Sequence, residues 1–444
     1  MKLISYKYRM QPNELQKQQL LKTFGCARKL YNELVAWGND EYERWKANGK
    51  LKGDFKPIPL VTYFKKQFPY MKEVDSLALM QVRTHYENAR KAFVSSLKGK
   101  RKGKGKKVKP PKFKKKGVSK DSFTTNNQGG TVSLLDNSHI KLPKFKSGIK
   151  VVCHRELEGN IRQATVSMEK DGTFYVSILC DVPEQQVQKR EVNKVIGLDM
   201  SLPHFYVSSE KEENNTMCYA TQYRNSQKKL ARLQRCVSRK EMQDTDFTYF
   251  NKKWNKEVVV KKPSHNREKA RQRLARLHRK ISNRRLDFIR KTASRLTKNY
   301  DCIVIEDLNM QGMSRCLHLG KSVMDLGWGM FVQWLEWDCE KNGCTLVKAD
   351  KWFASSKICN HCGSENSVLR LSDREWVCEA CGSLIDRDYN AACNLRDYYF
   401  NNIHTVGTTG INACGENAST KDVVKQPLQV FSLKQEAPHS LGEG

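Results

Sequence analysis

The chain has 444 residues, 39% of them apolar, which is enough to pack two or three compact units. Its 80 Lys and Arg against 47 Asp and Glu leave a net charge of +33, an excess that repels itself unless a polyanion answers it. Nucleic acid is the expected polyanion, because each phosphate neutralised by a cation releases a counterion. A membrane surface is disfavoured: no lipid anchor or basic amphipathic helix stands out, and no run approaches the ~18 apolar residues of a span. The opening MKLISYKYRM has no apolar leader, so the 15 cysteines are read against a reducing, cytoplasmic, nucleoid-associated setting rather than as a secreted disulfide framework.

Residues 3–10 (LISYKYRM) alternate as a strand. Pro12 and Asn13 break it, and Asn13 with Gln16 carries the signature of a helix capping box. Leu15, Leu20, Leu21, Phe24, Leu30, Leu34 and Trp37 then recur at helical spacing, and a second helical pattern over 76–97 aligns Leu79, Val82, Tyr86, Ala89 and Phe93. Residues 11–117 therefore read as a helical lobe inserted after one strand and ending in a basic linker. That linker holds twelve Lys or Arg between Lys98 and Lys116, spaced by Gly and Pro, and cannot bury anything. Lys102 and Lys107 within it are candidate nucleic-acid contacts, as are Gln81 and Arg83 on the second helix.

From Ser122 to Val182 the runs HIKLPKF, GIKVVCH, RQATVSME and TFYVSILCDV alternate between turn residues. With the first strand they predict a small β-barrel over 1–10 and 118–186. After a polar stretch, VIGLDMSLPHFYVSS (195–209) reads as a hairpin whose first strand is buried. Two basic helices are predicted near 224–240 and 266–299; the second offers an apolar stripe for packing, and its arginines, Arg284 and Arg285 among them, are candidates to meet phosphate. CIVIEDLNM (302–310) has the composition of a central strand ending in acids. A helix around 328–341, a strand at 344–348 and a last helix over NAACNLRDYYF complete an alternation that indicates an α/β domain across 187–350 and 385–400. Residues 401–444 read as a polar tail.

Cys359, Cys362, Cys378 and Cys381 have the spacing C-x2-C-x15-C-x2-C, which supplies the four tetrahedral thiolates that zinc requires. Gly363 and Gly382 follow the second cysteine of each pair, where the backbone must turn tightly. A redox pair would normally come singly. With all four positions taken by thiolate, one structural Zn2+ is expected, in a ribbon over 351–384.

Asp199 ends the apolar run VIGL and Glu306 ends CIVI, positions where a lone carboxylate is costly without a metal or a partner. Asp388 opens the last helix just after the ribbon, with Asp386 as the competing acid. Asp307 should point to the opposite strand face from Glu306. Any one of these acids alone is more often a cap or loop residue than a catalytic one. Converging, they would hold two Mg2+ ions for phosphodiester hydrolysis.

At these residues the chain resembles the transposon-encoded TnpB family of RNA-guided nucleases, relatives of the miniature type V CRISPR effectors. The motifs are GLDMSLPHFYVSS around Asp199, VIEDLNM around Glu306, WFASSKICNHCG entering the ribbon and CGSLIDRDYNAACNL leaving it. More distant echoes are YKYRMQPNELQ, FGCARKLYN, SRLTKNYDCIVIED and TVGTTGINACGE, so the likeness runs almost end to end. The resemblance selects Asp388, two residues before the Asn of D-x-N-A-A, as the third catalytic acid. It implies an α+β multidomain fold: a wedge barrel split by a helical recognition lobe, then an RNase H-like RuvC nuclease interrupted by the ribbon. It implies a guide RNA, a double-stranded DNA target with a short adjacent motif, and a monomeric ribonucleoprotein. The stretch 241–266, with Phe247, Tyr249, Phe250 and Trp254, is longer than the family leads one to expect. The rival readings are a nuclease-inactive RNA-guided repressor, a transposase, whose acids usually run Asp, Asp, Glu, and a zinc-ribbon transcription factor, which needs no strand-end acids.

Overall fold

The computed structural model describes residues 2–49, 54–99, 108–183, 187–211, 220–251, 256–316, 323, 325–370 and 372–404. Contacts divide the described chain into two compact units, with the boundary between residues 184 and 185.

In the first unit, strand β1 (Lys2–Gln11) leads into helix α1 (Glu14–Ala47). The cap of α1 is a capping box: the Gln16 amide donates to Asn13 Oδ1 at 2.9 Å, and the Asn13 amide donates to Gln16 Oε1 at 3.0 Å. Helices α2 (Val61–Gln67) and α3 (Ser76–Leu97) follow. Six further strands come next: β2 (Asp121–Asn126), β3 (Ser133–Asp136), β4 (His139–Lys141), β5 (Ile149–Val152), β6 (Asn160–Met168) and β7 (Phe174–Val182). They form one antiparallel sheet in the order β2-β6-β7-β1-β5-β4-β3, so the N-terminal strand lies at its centre.

The sheet is a curled half-barrel, which corrects the expected closed barrel. Among the described residues no ladder joins β2 to β3, and the concave side is covered by helices instead of a closing strand. Tyr6, Tyr8 and Met10 of β1 are buried with Phe24, Leu30 and Leu34 of α1 and Leu79, Val82 and Tyr86 of α3. Leu15 and Leu21, counted in the apolar stripe by spacing, face solvent.

In the second unit, β8 (Val195–Ser201) and β9 (Phe205–Ser208) form the predicted hairpin. The elements that follow are α4 (Ala220–Ser238), β10 (Met242–Asn251), β11 (Lys256–Pro263), α5 (His265–Asn299), β12 (Cys302–Glu306), α6 (Met310–Cys316), α7 (Trp328–Asn342) and β13 (Thr345–Ala349). The chain ends its described part with β14 (Glu375–Val377), β15 (Leu384–Asp386) and α8 (Arg387–Tyr399). The sheet order is β13-β12-β8-β9, with the first three strands parallel and β9 antiparallel. Both faces of this sheet are covered, and that is why VIGL and CIVI are continuous apolar runs rather than alternating ones. Ile196, Leu198, Ile303 and Ile305 pack with Ile289 and Leu296 of α5 and Phe331 and Leu335 of α7. Val195, Cys302, Val304, Val347 and Ala349 pack on the other face with Leu395 and Tyr399 of α8. The long stretch between α4 and α5 is the antiparallel hairpin β10–β11, paired from Met242↔Pro263 to Asn251↔Lys256.

Candidate active site and metal centre

Strand parity decides which acids meet. Odd-numbered residues of β8 and even-numbered residues of β12 line the α8 face, since Val195, Cys302 and Val304 pack there. Asp199 and Glu306 therefore share that face. The ladder pairs Leu198 with Ile305, so one further step sets Asp199 beside Glu306 on neighbouring parallel strands. Asp307 is exposed, one residue out of phase.

Gly197 brings the third acid. A Cβ there would lie 2.0 Å from the Ala392 carbonyl oxygen and 2.5 Å from the Arg396 amide nitrogen, so only glycine lets α8 lie directly on β8. From that contact, two residues along β8 advance ~6.6 Å to Asp199 and four residues back along α8 recede ~6 Å to Asp388. The carboxylates feel one another. Asp199 is pushed well above the usual aspartate range, first by burial and then by the charges of Glu306 and Asp388, with Arg387 pulling against them. Burial also raises Glu306, opposed by a hydrogen bond from Ser355 Oγ.

Asp386 has other work: its side chain caps α8, accepting from the Tyr389 amide at 2.8 Å. Asp388 sits in the first turn of α8. Arg374, from the ribbon, donates to both its oxygens at 3.2 and 3.0 Å, and Arg387 Nη2 donates to Oδ1 at 2.9 Å. Among the described residues only four cysteines bring all their ligand atoms within 4.8 Å of one another. The like-charged acids stand wider, each steered by its own donors: Ser355 for Glu306, the two arginines for Asp388.

Sequence reasoning missed the support of this site. Asn390 and Asn394 are buried in α8, and both donate to the Ile358 carbonyl, at 2.7 and 2.6 Å. Asn394 also donates to the Ser355 carbonyl at 2.7 Å, and Asn390 Oδ1 accepts from the Asn360 amide at 2.9 Å. These two asparagines clamp the segment that carries Ser355 and enters the ribbon. The N-A-A-C-N run was the available signal, since two amides four residues apart lie on one helix face.

The four cysteines form a closed cluster. Thiolates ~2.3 Å from a tetrahedral centre stand ~3.8 Å apart. The Cys359 and Cys381 sulfurs are 3.8 Å apart and those of Cys362 and Cys378 are 3.5 Å apart. The two knuckles repeat one geometry: Gly363 and Gly382 have φ of 75° and 70°, and each donates its amide to the first cysteine of its pair at 2.8 Å. A hydrogen bond from Ser364 Oγ leads the effects that bring the Cys378 thiol down to about 6. Trp376 and Ile385 of the β14–β15 hairpin pack against the buried cysteines as a small core. The donor set fits a structural metal ion and leaves no position open for chemistry.

The remaining candidate contacts are dispersed. Gln81 donates to Asn126 Oδ1 at 2.9 Å, and Arg83 donates to the carbonyls of Pro59 and Ile58 at 3.0 and 3.1 Å. Arg284 is exposed on α5, while Arg285 is paired with Asp325. Lys102 and Lys107 lie outside the described residues, as does Trp254.

Comparison with known proteins follows this layout. A family model described as "Probable transposase" (OrfB_IS605) matches residues 177–317, which hold Asp199 and Glu306. A second, "Cas12f1-like, TNB domain", matches 328–395, which hold the four cysteines and Asp388, and a "Helix-turn-helix domain" model matches 1–49. A "Putative RNA-guided DNA endonuclease" of Streptomyces pristinaespiralis is 29% identical over 395 residues, covering 88% of each chain. A "TnpB-like protein" of Acanthamoeba polyphaga mimivirus is 23% identical over 53% of this chain and 42% of its own length. A "Putative RNA-guided DNA endonuclease InsQ" of Escherichia coli K12 is 26% identical over 96% of this chain and 97% of its own length. Among solved structures, a Cas12f1–sgRNA–target DNA complex aligns with a TM-score of 0.44 at 14% identity over 85% of this chain and 82% of its own.

Proposed function

We propose that this chain is the RNA-guided DNA endonuclease of an insertion sequence, cutting target DNA next to a short adjacent motif at a RuvC-type site made of Asp199, Glu306 and Asp388. The observation that carries this reading is the convergence of the three acids on the α8 face, through strand parity and the close approach at Gly197. The names of relatives that span 88% and 96% of this chain support it. Asp199, Glu306 and Asp388 would hold two magnesium ions, which would supply the Lewis acidity for phosphodiester hydrolysis. Ser355 fixes the rotamer of Glu306, and Arg387 and Arg374 orient Asp388 at the start of α8. Four thiolates hold one zinc ion that shapes the ribbon and takes no part in the chemistry. The partners are a guide RNA and double-stranded DNA; base pairing selects the sequence while the +33 chain binds backbone, as a monomeric ribonucleoprotein in the cytoplasm.

The test is direct. The protein is purified with the RNA it carries, that RNA is sequenced, and matching duplex DNA is supplied with magnesium. Cleavage by the intact protein, lost in Asp199→Ala with RNA retained, is the expected result. Programmed binding of target by the intact protein with no cut strand would overturn the nuclease and leave an RNA-guided repressor.

A further inference from the structure

Trp352 is a large aromatic held out in water, 84% exposed. A single exposed apolar residue is ordinary on a protein surface. This one differs because its backbone is fixed while its ring, with Lys351 alongside, stays largely exposed. The Trp352 amide donates to Asp350 Oδ1 at 2.8 Å, and the Phe353 amide donates to the Asp350 carbonyl at 3.0 Å, closing a tight turn. The next ring is anchored: Phe353 meets Tyr398 of α8 edge-on with centroids 4.9 Å apart, and the Asp350 amide donates to the Tyr398 hydroxyl at 3.3 Å. The Lys351 ammonium stands 5.4 Å from the Trp352 ring.

The turn also lies at the site. Ser355, three residues on, donates to Glu306, and three residues of chain span at most ~11 Å. The turn thus holds an exposed indole and a cation a few nucleotide lengths at most from a catalytic carboxylate. Indole stacks on any nucleobase, whatever the sequence, provided the base is unpaired.

We propose that Trp352 is a base-stacking subsite for single-stranded DNA entering the carboxylate site, with Lys351 on the adjoining phosphate. This rests on the nuclease reading above, and binding without cleavage separates the two. The full-length protein, without added magnesium, is titrated with a short oligothymidylate and with an abasic strand of equal length, which shares the phosphates and lacks the bases. The wild type should prefer the base-bearing strand by about 5- to 150-fold, the range expected for one stacked base. Trp352→Ala should abolish the preference while binding the abasic strand as before, and Trp352→Phe should keep most of it. An undiminished preference in Trp352→Ala, or no preference in the wild type, overturns the proposal. Failure of the wild type to cut under magnesium, with the preference present and Trp352-dependent, would instead count against the nuclease reading alone.

Discussion

Gly197→Ala isolates the packing that brings Asp388 to Asp199. The added methyl would start 2.0 Å from the Ala392 carbonyl oxygen and 2.5 Å from the Arg396 amide. Contacts under 3.0 Å are essentially never tolerated, so the gap must open by at least 1.0 Å. Both obstructing atoms belong to the backbone of α8, so no side chain can swing aside and the helix itself must retreat. Asp388 goes with it. A misplacement of about 1 Å at a reacting centre costs on the order of 10²-fold in rate. Overpacking of this kind costs about 1–3 kcal/mol, and one kcal/mol corresponds to roughly 2–4 °C in a unit of this size. The measurement is single-turnover cleavage of matched DNA by the ribonucleoprotein, with a thermal melt on the same sample. Gly329→Ala is the control, because nothing lies within 4 Å of a Cβ at that position in α7. It should cut normally and melt no lower. If Gly197→Ala cut within twofold of the wild type, the argument that glycine positions the third acid would be refuted.

Asp199→Asn should abolish cleavage and yet raise the melting temperature at neutral pH in the absence of magnesium. Burial and two like charges hold the Asp199 carboxyl above its ordinary value, so the contribution of this group to wild-type stability is fully present in acid and is lost as pH climbs out of the ordinary aspartate range, about 4. The gap between the two proteins should close as pH falls toward that range, and magnesium should stabilise only the wild type; a variant that melts lower at neutral pH would contradict the burial argument. Ser355→Ala removes the donor that favours ionised Glu306, so the acid limb of the pH–rate profile should move to higher pH with a rate loss of about tenfold or more, read from cleavage across a pH series. Cys378→Ser should lower zinc content and folded yield together, measured by metal analysis and circular dichroism, because ion binding supplies folding free energy to a closed thiolate site. Full zinc occupancy in that variant would remove Cys378 from the ligand set.

The parts of this molecule legible in the sequence are those governed by local periodicity and spacing. The Asn13–Gln16 box, the burial of VIGL and CIVI, the β8–β9 hairpin and the paired CxxC knuckles each depend on residues close together in the chain. Asp199 and Glu306 were recognisable because an acid ending a two-sided apolar strand is expensive in any fold. Closure of the first sheet was not legible, since it depends on whether the edges β2 and β3 pair, and nothing local encodes that. Nor were Ser355, 49 residues from the Glu306 it holds, or Arg374, whose contact with Asp388 exists only because the ribbon folds back on α8.

Those hidden contacts change what the four-cysteine cluster is for. Asn390 and Asn394 tie α8 to the segment 355–360, which carries Ser355 at one end and the first knuckle at the other. Arg374 leaves the ribbon beside β14 and ends on Asp388. The ribbon therefore reaches Asp388 through Arg374, while Ser355 is held beside Glu306 by Asn394 of α8. Unfolding of the ribbon should accordingly free Arg374 from Asp388 while Asn390 and Asn394 keep Ser355 beside Glu306.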